Sequence, residues 1–374
     1  MGLNNLFIFG KTVSGDAFTD REKDTAKLIS NFQYGVNTFI LSPRRWGKTS
    51  LVKKAKETAE NNRLKIVYVD VHLCRSREEF CERYASAVLT QTSNKMEEWM
   101  DNARTFLNRF SFGVNTAADP MSEITLKLQL AQQEQSMEDL LQLPERIAKR
   151  KKINIVVCID EFQQIGYFPN SKQFQTELRS IWQHHERTSY CLFGSKKHML
   201  ETFFDDSSKP FYKFGDIIYL QRIPLEHWVK YITDKFHREG KKITQKQAAW
   251  IVDQVDGNSS YVQQLSWYVF QRTDKKVDEH ILSEAVTELI EQCGDVFEAK
   301  TESLTGYQMN FLRCIADGIH TGLSSAKNIN KYNLGSSSNI AIIKKYLLEK
   351  DLISIQQKEV WLTDPVMGLW LKRQ

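Results

Sequence analysis

Short, nearly continuous apolar runs that alternate with helical patterns restrict the fold of this chain more than any other feature. The third run, Ile153–Ile159, is apolar at almost every position, and the second, 64–71, is rich in β-branched residues. Strands in a parallel sheet are apolar at nearly every position because helices cover both faces of the sheet. The pattern therefore predicts an α/β fold. The predicted strands are 37–41, 64–71, 153–159, 190–193 and 216–220, and the predicted helices are roughly 20–33, 48–61, 76–90, 136–149 and 171–186, with Ser136 as a helix cap.

One segment interrupts this alternation of strands and helices. Apolar and polar residues alternate along two stretches, at Phe110, Phe112 and Val114 and then at Ile124, Leu126, Leu128 and Leu130. Period-two alternation on both sides of a short polar stretch is typical of a β-hairpin. We expect a hairpin inserted at about residues 105–132. It is either a decoration without chemistry or an edge that binds a partner.

The second half of the chain has a different pattern. From about residue 221 it is purely helical, and Thr244 with Gln247 forms a capping-box sequence. After residue 301, three short helices precede two apolar runs, 352–355 and 360–362, which indicates a winged helix-turn-helix. We therefore predict three domains, which are an α/β core at 1–220, a helical lid at 221–300 and a winged helix at 301–374.

The composition agrees with a folded chain of roughly two or three domains. Of the 374 residues, 41% are hydrophobic and 26% are charged, which excludes a largely disordered protein. No apolar stretch approaches the ~18 residues of a membrane span, the N-terminus lacks a signal-peptide pattern, and the six cysteines form no CxxC pair. We expect reduced thiols, a cytoplasmic location and no membrane association. The net charge of +5 permits nucleic-acid binding without arguing for it.

The segment Ser42–Thr49, SPRRWGKT, follows the first predicted strand and opens a helix. Its pattern is that of a phosphate-binding loop, G-x-x-x-x-G-K-[ST]. Backbone N–H groups and the helix dipole of such a loop bind phosphate oxygens, Lys48 reaches the β- and γ-phosphates, and the Thr49 hydroxyl ligates Mg²⁺. Gly47 lets the backbone approach the ligand closely. Ser42 replaces the first glycine, which is acceptable at negative φ, and Pro43 favours the extended region there.

A second motif follows the third strand. Ile153–Ile159 ends directly in Asp160 and Glu161, in the manner of a Walker B motif. We expect Asp160 to hold Mg²⁺, directly or through water, and Glu161 to orient or polarise the attacking water. Along the chain, one further strand (64–71) lies between the two motifs. This arrangement suits the sheet order 5-1-4-3-2, in which another strand lies between the two motif strands in the sheet.

The strand that follows ends at Ser195, before Lys196 and Lys197. A polar residue at this place can sense the γ-phosphate through a hydrogen bond, so Ser195 joins Lys48 and Glu161 as a predicted catalytic residue. The two lysines either help to neutralise phosphate or form a solvated basic turn.

These motifs together resemble a known family. The matching segments are FTDRE at 18–22, SPRRWGKTSL, VVCIDEFQQI, YCLFGSK, GNSSYVQQ at 257–264 and the closing LTDPVMGLWL. They resemble the archaeal-type ATPase family, in the MNS clade of STAND P-loop NTPases related to AAA+ proteins, over nearly the whole chain. The resemblance implies a three-layer P-loop NTPase core with ATP and Mg²⁺ as cofactors, followed by a lid and a winged helix.

The resemblance also implies roles for single residues. Arg21 is expected beside the nucleotide, or else paired with an acidic neighbour. The family commonly has a Gly-Arg pair just before the last core strand, and this sequence lacks it. Lys213 is the cation near that place, but lysine does not bind phosphate with two parallel hydrogen bonds as arginine does. Arg179 is the alternative residue for contacting phosphate. The predicted nucleotide-binding residues are Arg21, Pro43, Arg44, Arg45, Trp46, Gly47, Lys48, Thr49 and Ser50, and the predicted Mg²⁺ ligands are Thr49 and Asp160.

The sequence predicts Mg²⁺-dependent hydrolysis of ATP, used as a conformational switch. Residues 301–374 carry nine Lys/Arg and six Asp/Glu, and their predicted recognition helix contains Lys344 and Lys345. For this domain, binding of double-stranded DNA and a protein-docking or regulatory role are both open. A homo-oligomer and a partner protein are both open for the chain as a whole. The alternative functions are an ATP-regulated DNA-binding protein and a scaffold that binds nucleotide without hydrolysing it.

Overall fold

The structure is a computed structural model that describes residues 6–13, 20–106, 112–114, 124–126, 133–356 and 358–374. By its internal contacts the chain divides into two compact units. The α/β unit comprises the described residues of Arg21–Arg44 and Lys48–Gln221. The helical unit comprises the described residues up to Asp20, together with Arg45–Gly47 and Arg222–Gln374.

The α/β unit alternates strands and helices as the apolar runs predict. Its elements in chain order are α1 (Glu22–Gln33), β1 (Thr38–Leu41), α2 (Lys48–Ala59), β2 (Leu64–Asp70), α3 (Arg77–Thr92), α4 (Met96–Phe106), β3 (Phe112–Val114), β4 (Ile124–Leu126), α5 (Gln133–Lys151), β5 (Asn154–Asp160), α6 (Ser171–Trp182), β6 (Thr188–Phe193), α7 (Lys197–Glu201) and β7 (Asp216–Tyr219), with a 3-10 helix at Phe162–Tyr167.

Five of these strands form one sheet in the order β2-β5-β6-β1-β7, and every adjacent pair is parallel. If these five strands are numbered 1 to 5 in chain order (β1, β2, β5, β6, β7), the sheet has the predicted order 5-1-4-3-2. Every residue of β1 and β6 is buried, as expected for strands that are covered on both faces. The P-loop NTPase fold and the placement of β6 between the two motif strands are thereby confirmed.

The segment between α4 and α5 contains the predicted antiparallel pair, with Phe112 opposite Leu126 in strands β3 and β4. Phe110, Leu128 and Leu130 lie outside the described residues. The expected cap at Ser136 is wrong, because α5 begins at Gln133. The Gln-Glu-Gln sequence before Ser136 consists of good helix formers, which extend the helix by a turn.

The helical unit contains α8 (Leu225–Arg238), α9 (Gln245–Gln254), α10 (Ser259–Arg272), α11 (Glu279–Thr301), α12 (Gly306–Ala316), α13 (Ala326–Tyr332), α14 (Ser337–Glu349), β8 (Ile353–Gln356), β9 (Glu359–Leu362) and α15 (Pro365–Leu371). Helices α12 to α14 with the antiparallel pair β8 and β9 form the predicted winged helix. The predicted capping box of Thr244 and Gln247 is present at the start of α9.

One hydrophobic core runs through the helical unit, from α8 to α15. Phe297 of α11 packs against Trp370 of α15, with ring centroids 5.8 Å apart. The boundary proposed at residues 300 and 301 falls at the end of α11, so the proposed lid and winged helix share buried surface. No helix within the described residues has the length and apolarity needed to span a membrane.

A partly buried histidine gives the α/β unit a pH-dependent stability. His185 Nδ1 lies 2.8 Å from the Tyr190 hydroxyl, and its Nε2 has no hydrogen-bond partner among the described residues. Burial lowers the pKa of His185 to about 4, while Glu145 acts in the opposite direction. The unfolded chain binds a proton at this side chain below pH ~6.5, whereas the folded chain binds it only near pH 4, so stability falls as the pH falls between these values.

We expect His185→Gln to flatten the decline in the free energy of unfolding between pH 7 and pH 5, because the variant has no imidazole to protonate. Urea unfolding at several pH values measures this. His184→Gln, at an exposed neighbouring position, should retain the wild-type decline. An unchanged decline in His185→Gln would show that other groups cause it.

Candidate functional site

The loop between β1 and α2 holds the Lys48 side chain close to its own backbone. Lys48 Nζ donates to the carbonyl oxygens of Ser42 (3.0 Å) and Pro43 (2.8 Å) and to Ser42 Oγ (3.1 Å). Burial lowers the pKa of Lys48 to about 8, and the charges of Asp160 and Glu161 partly counteract this effect. The amine is therefore a buried cation that faces two carboxylates. Ser42 is buried and is not among the residues with positive φ, so the serine in place of glycine fits the loop.

Gly47 is required by the conformation of the loop. Its φ is 89°, a region that side-chain-bearing residues rarely adopt. Within the described residues, no protein atom lies within 4 Å of the place where a Cβ would stand. The backbone conformation of the loop is therefore a reason for glycine here, and close approach of the backbone to a ligand stays a prediction.

Asp160, at the end of β5, receives three hydrogen bonds. The Thr49 hydroxyl donates to Oδ2 at 2.9 Å, the Tyr68 hydroxyl donates to the same oxygen at 2.6 Å, and the Glu161 N–H donates to Oδ1 at 2.9 Å. The carboxylate is only 7% exposed. Burial raises its pKa, and the donors from Tyr68 and Thr49 limit that rise. The structure thus brings the two predicted Mg²⁺ ligands, Thr49 and Asp160, within hydrogen-bonding distance.

Glu161 is held by the predicted catalytic serine. Ser195 donates to Glu161 Oε2 through its hydroxyl (2.8 Å) and its N–H (3.3 Å), and the Gln163 amide donates to the same oxygen. Burial works to raise the pKa of Glu161, but these hydrogen bonds and the Lys48 charge outweigh it, so the pKa lies below its usual value. The side chain is therefore an ionised carboxylate at neutral pH.

Close packing makes Gly194 part of the same arrangement. A Cβ at this position would lie 1.8 Å from Gln163 Oε1 and 3.1 Å from the Glu161 backbone. Glu161 itself has φ 56°, in the left-handed region that costs free energy for a residue with a side chain. The path of the chain at residue 194 therefore helps to define the position of Glu161.

Residues Arg45–Gly47, at the centre of the loop, belong to the helical unit. Arg45 donates to the Tyr261 hydroxyl and lies 3.5 Å from Asp364 Oδ2, and Tyr261 donates to that same oxygen at 2.7 Å. The Arg222 guanidinium lies 5.7 Å from the Trp46 ring centroid. Binding of nucleotide by Arg45 and Trp46 stays a prediction.

Arg21 makes the ion pair with an acidic neighbour that was one of its two expected environments, and its contact with nucleotide stays a prediction. It is 6% exposed, lies 3.3 Å from Asp24 and donates to the Gln221 carbonyl. Among the remaining predicted binding residues, Ser50 is buried, Pro43 is half-buried and Arg44 is exposed. Phe18 and Thr19, from the same family element as Arg21, lie outside the described residues.

The other predicted cations stack on aromatic rings. Lys196 donates to the Tyr167 hydroxyl at 2.8 Å, and Tyr167 is 54% exposed; a contact of Lys196 with phosphate stays a prediction. Arg179 lies 4.7 Å from the Phe214 ring centroid, and Lys213 lies 5.4 Å from the Tyr212 ring centroid. The side chain of Lys197 is not described.

Sequence reasoning missed Tyr68, Gln163 and Gly194. Tyr68 could have been found, because the predicted sheet order makes its strand the direct neighbour of the Asp160 strand. The bond between Gln163 and Glu161 depends on the 3-10 turn that follows β5, for which the sequence offered no signal.

Two protein-family models match the sequence of this chain. The model described as an ATPase domain predominantly from Archaea matches residues 18–265, and that of a probable winged helix domain matches residues 295–373. No curated protein sequence matches the chain.

Several solved structures share the fold at low sequence identity. A Walker-type ATPase of Pyrococcus abyssi has a TM-score of 0.69 at 16% identity, over 98% of this chain and 99% of that one. The Aeropyrum pernix ORC2 protein, solved as ADPNP–ADP complexes, has a TM-score of 0.60 at 14% identity, over 99% and 97%. The ORC1 protein of that organism, in complex with DNA, has a TM-score of 0.50 at 12% identity, over 96% and 94%. Since the family model spans well over half of the sequence, the chain belongs to the family of ATPase domains predominantly from Archaea.

Proposed function

We propose that this protein binds ATP with Mg²⁺ and hydrolyses it slowly, and that the cycle works as a conformational switch of the STAND type. One observation carries the proposal. Within the α/β unit, a buried lysine amine, a threonine hydroxyl and two carboxylates meet at the carboxyl ends of β1 and β5. This is the set of groups that phosphoryl transfer requires of a P-loop protein.

The residues at this place fit a magnesium ion. Mg²⁺ prefers oxygen ligands and usually binds through one or two carboxylates together with substrate phosphates. Thr49 Oγ1 and Asp160 Oδ2 lie 2.9 Å apart and supply one hydroxyl and one carboxylate oxygen. The bound ion would neutralise negative charge on the β- and γ-phosphates.

The protein's own groups divide the remaining work. Lys48, whose amine now contacts three loop oxygens, supplies the mobile cation for the phosphates. Glu161 is the base or orienting group for water, and its ionised state suits that role. Ser195 holds Glu161 Oε2 and links it to the end of β6.

Phosphate release tests the proposal against the scaffold alternative. At saturating ATP, the wild-type protein should release phosphate with Mg²⁺ and should stop when EDTA removes the cation. Tight ATP binding without any phosphate release would favour the non-hydrolysing scaffold. Absence of ATP binding would reject both functions.

A second candidate function is DNA binding by the winged helix. Residues 301–374 have a net charge of +3, and α14 begins with Ser337 and Ser338 exposed. Ile340, Ile343 and Leu347 form the buried face of α14, while Lys345 is exposed and Lys344 is half-buried. The fold is shared with an ORC1 protein that was solved in complex with DNA. The exposed side of α14 is therefore the surface that we assign to duplex, with a protein partner as the alternative.

Replacing Lys344 and Lys345 together with alanine should make the slope of log affinity for duplex against log salt concentration shallower by about 1.8. Each lost phosphate contact removes about 0.9 from this slope. Fluorescence anisotropy with labelled duplex at several salt concentrations measures the slope. The control removes two charges from exposed lysines of the same unit outside the winged helix, Lys246 and Lys276. No duplex binding by the wild type at low salt would reject the DNA function.

A further inference from the structure

The strand next to the Asp160 strand places a tyrosine toward that carboxylate. In the parallel register of β2 and β5, Tyr68 stands opposite Cys158, and Asp70 stands opposite Asp160. Side chains alternate between the two faces of a sheet, so Tyr68, Cys158 and Asp160 share one face. A long aromatic side chain at this diagonal position can reach the carboxylate two residues further along the neighbouring strand.

The contact is made by the hydroxyl group. Tyr68 Oη donates to Asp160 Oδ2 at 2.6 Å, a short bond of the kind formed to an ionised acceptor. The ring is flanked by Lys53 of α2, whose Nζ lies 5.7 Å from its centroid, and by Phe193 of β6, at 6.4 Å between centroids. These neighbours on two different elements restrict where the phenol can point.

Asp160 is thereby fixed from two sides. The Glu161 N–H binds Oδ1, while Tyr68 and Thr49 both bind Oδ2. Thr49 is itself the second proposed ligand of the cation, so Tyr68 is the side chain that restrains Oδ2 without being a ligand. A donor of this kind sets the plane of a ligating carboxylate and therefore the direction of its remaining lone pairs.

We propose that Tyr68 is a positioning residue, which orients the Asp160 carboxylate for the cation that accompanies ATP. This inference rests on the proposed function, since it concerns the same Mg²⁺ site. It differs from a packing role, because a packing role needs the ring of Tyr68 and not its hydroxyl.

The test compares Tyr68→Phe with the wild type by calorimetric titration of ATP, once with Mg²⁺ and once with EDTA. The ratio of the two affinities measures how much the cation strengthens binding. We expect Tyr68→Phe to reduce this ratio about 10-fold, since outer-shell partners of metal ligands typically contribute 10- to 100-fold to metal affinity. ATP affinity in EDTA should stay at the wild-type value. Tyr212→Phe, which removes a hydroxyl from a partly exposed ring, is the matched control and should change neither affinity.

The outcomes separate the inference from the proposed function. An unchanged ratio in a folded Tyr68→Phe variant overturns the positioning role, and so does an equal loss of affinity in Mg²⁺ and EDTA, which indicates general damage to the site. If Tyr68→Phe is poorly folded by thermal melting, Mn²⁺ titrations of wild type and Asp160→Asn by electron paramagnetic resonance supply the second measurement. If those two proteins bind Mn²⁺ with equal affinity, Asp160 is not a ligand of the cation. Tyr68 then has no metal ligand to orient, and the inference is overturned. A wild-type protein that binds ATP equally well with and without Mg²⁺ overturns the proposed function, and the inference with it.

Discussion

Replacing Glu161 with glutamine is expected to lower ATP turnover by about 10²- to 10⁴-fold, the usual contribution of a positioned acid or base. Three donors from Ser195 and Gln163 converge on Glu161 Oε2, and a glutamine oxygen can accept from the same groups. The amide keeps the shape of the side chain but cannot take a proton from water. Single-turnover phosphate release measures the loss, and calorimetry should show ATP affinity close to that of the wild type.

A conservative change at an exposed carboxylate serves as the control for this prediction. Glu57→Gln, on the exposed side of α2, should preserve both turnover and ATP affinity. Wild-type turnover in Glu161→Gln would mean that Glu161 is only a structural neighbour of Asp160. Loss of ATP affinity together with turnover would assign Glu161 to the shape of the site, with no separate role in hydrolysis.

Replacing Lys48 with alanine is expected to weaken ATP binding by roughly 10- to 150-fold. This corresponds to the ~1.5–3 kcal/mol that a charge-assisted hydrogen bond contributes. The loss follows because Lys48 is a buried cation that interacts electrostatically with both carboxylates, and its amine lies within hydrogen-bonding distance of three loop oxygens. Calorimetric titration with ATP and Mg²⁺ gives the affinity directly.

Folding must be checked alongside that measurement. The amine of Lys48 binds the carbonyl oxygens of Ser42 and Pro43, so its removal leaves those oxygens without this donor. A thermal melt should therefore accompany each titration. Lys23→Ala, at an exposed position of α1, is the matched loss of charge and should leave ATP affinity unchanged. Wild-type affinity in a folded Lys48→Ala protein would contradict the assignment of the phosphate-binding loop.

The sequence alone determined the layout of the α/β unit. Strand and helix order follow from local hydrophobic patterns, because a buried strand must be apolar along its length whatever its partners are. The motif at Ser42–Thr49 and the carboxylates after Ile159 were sufficient to place the strands in the order that the structure shows. Thr49 and Asp160 were likewise expected to lie together, and their oxygens are 2.9 Å apart.

Tertiary structure decided which side chains hold those groups in place. The bond from Tyr68 to Asp160 depends on the exact register of two strands, and the bond from Gln163 to Glu161 depends on a turn with a left-handed residue at its start. For Arg21 the sequence left open a nucleotide contact or an ion pair; the structure forms the ion pair with Asp24, and the nucleotide contact stays a prediction. The same holds for the core shared by α11 and α15. The contacts of Tyr68 with Asp160 and of Phe297 with Trp370 join residues far apart in sequence, so no local pattern encodes them. The contacts of Gln163 with Glu161 and of Arg21 with Asp24 are local, but they depend on left-handed backbone conformations at Glu161 and Arg21 that hydrophobic periodicity does not predict.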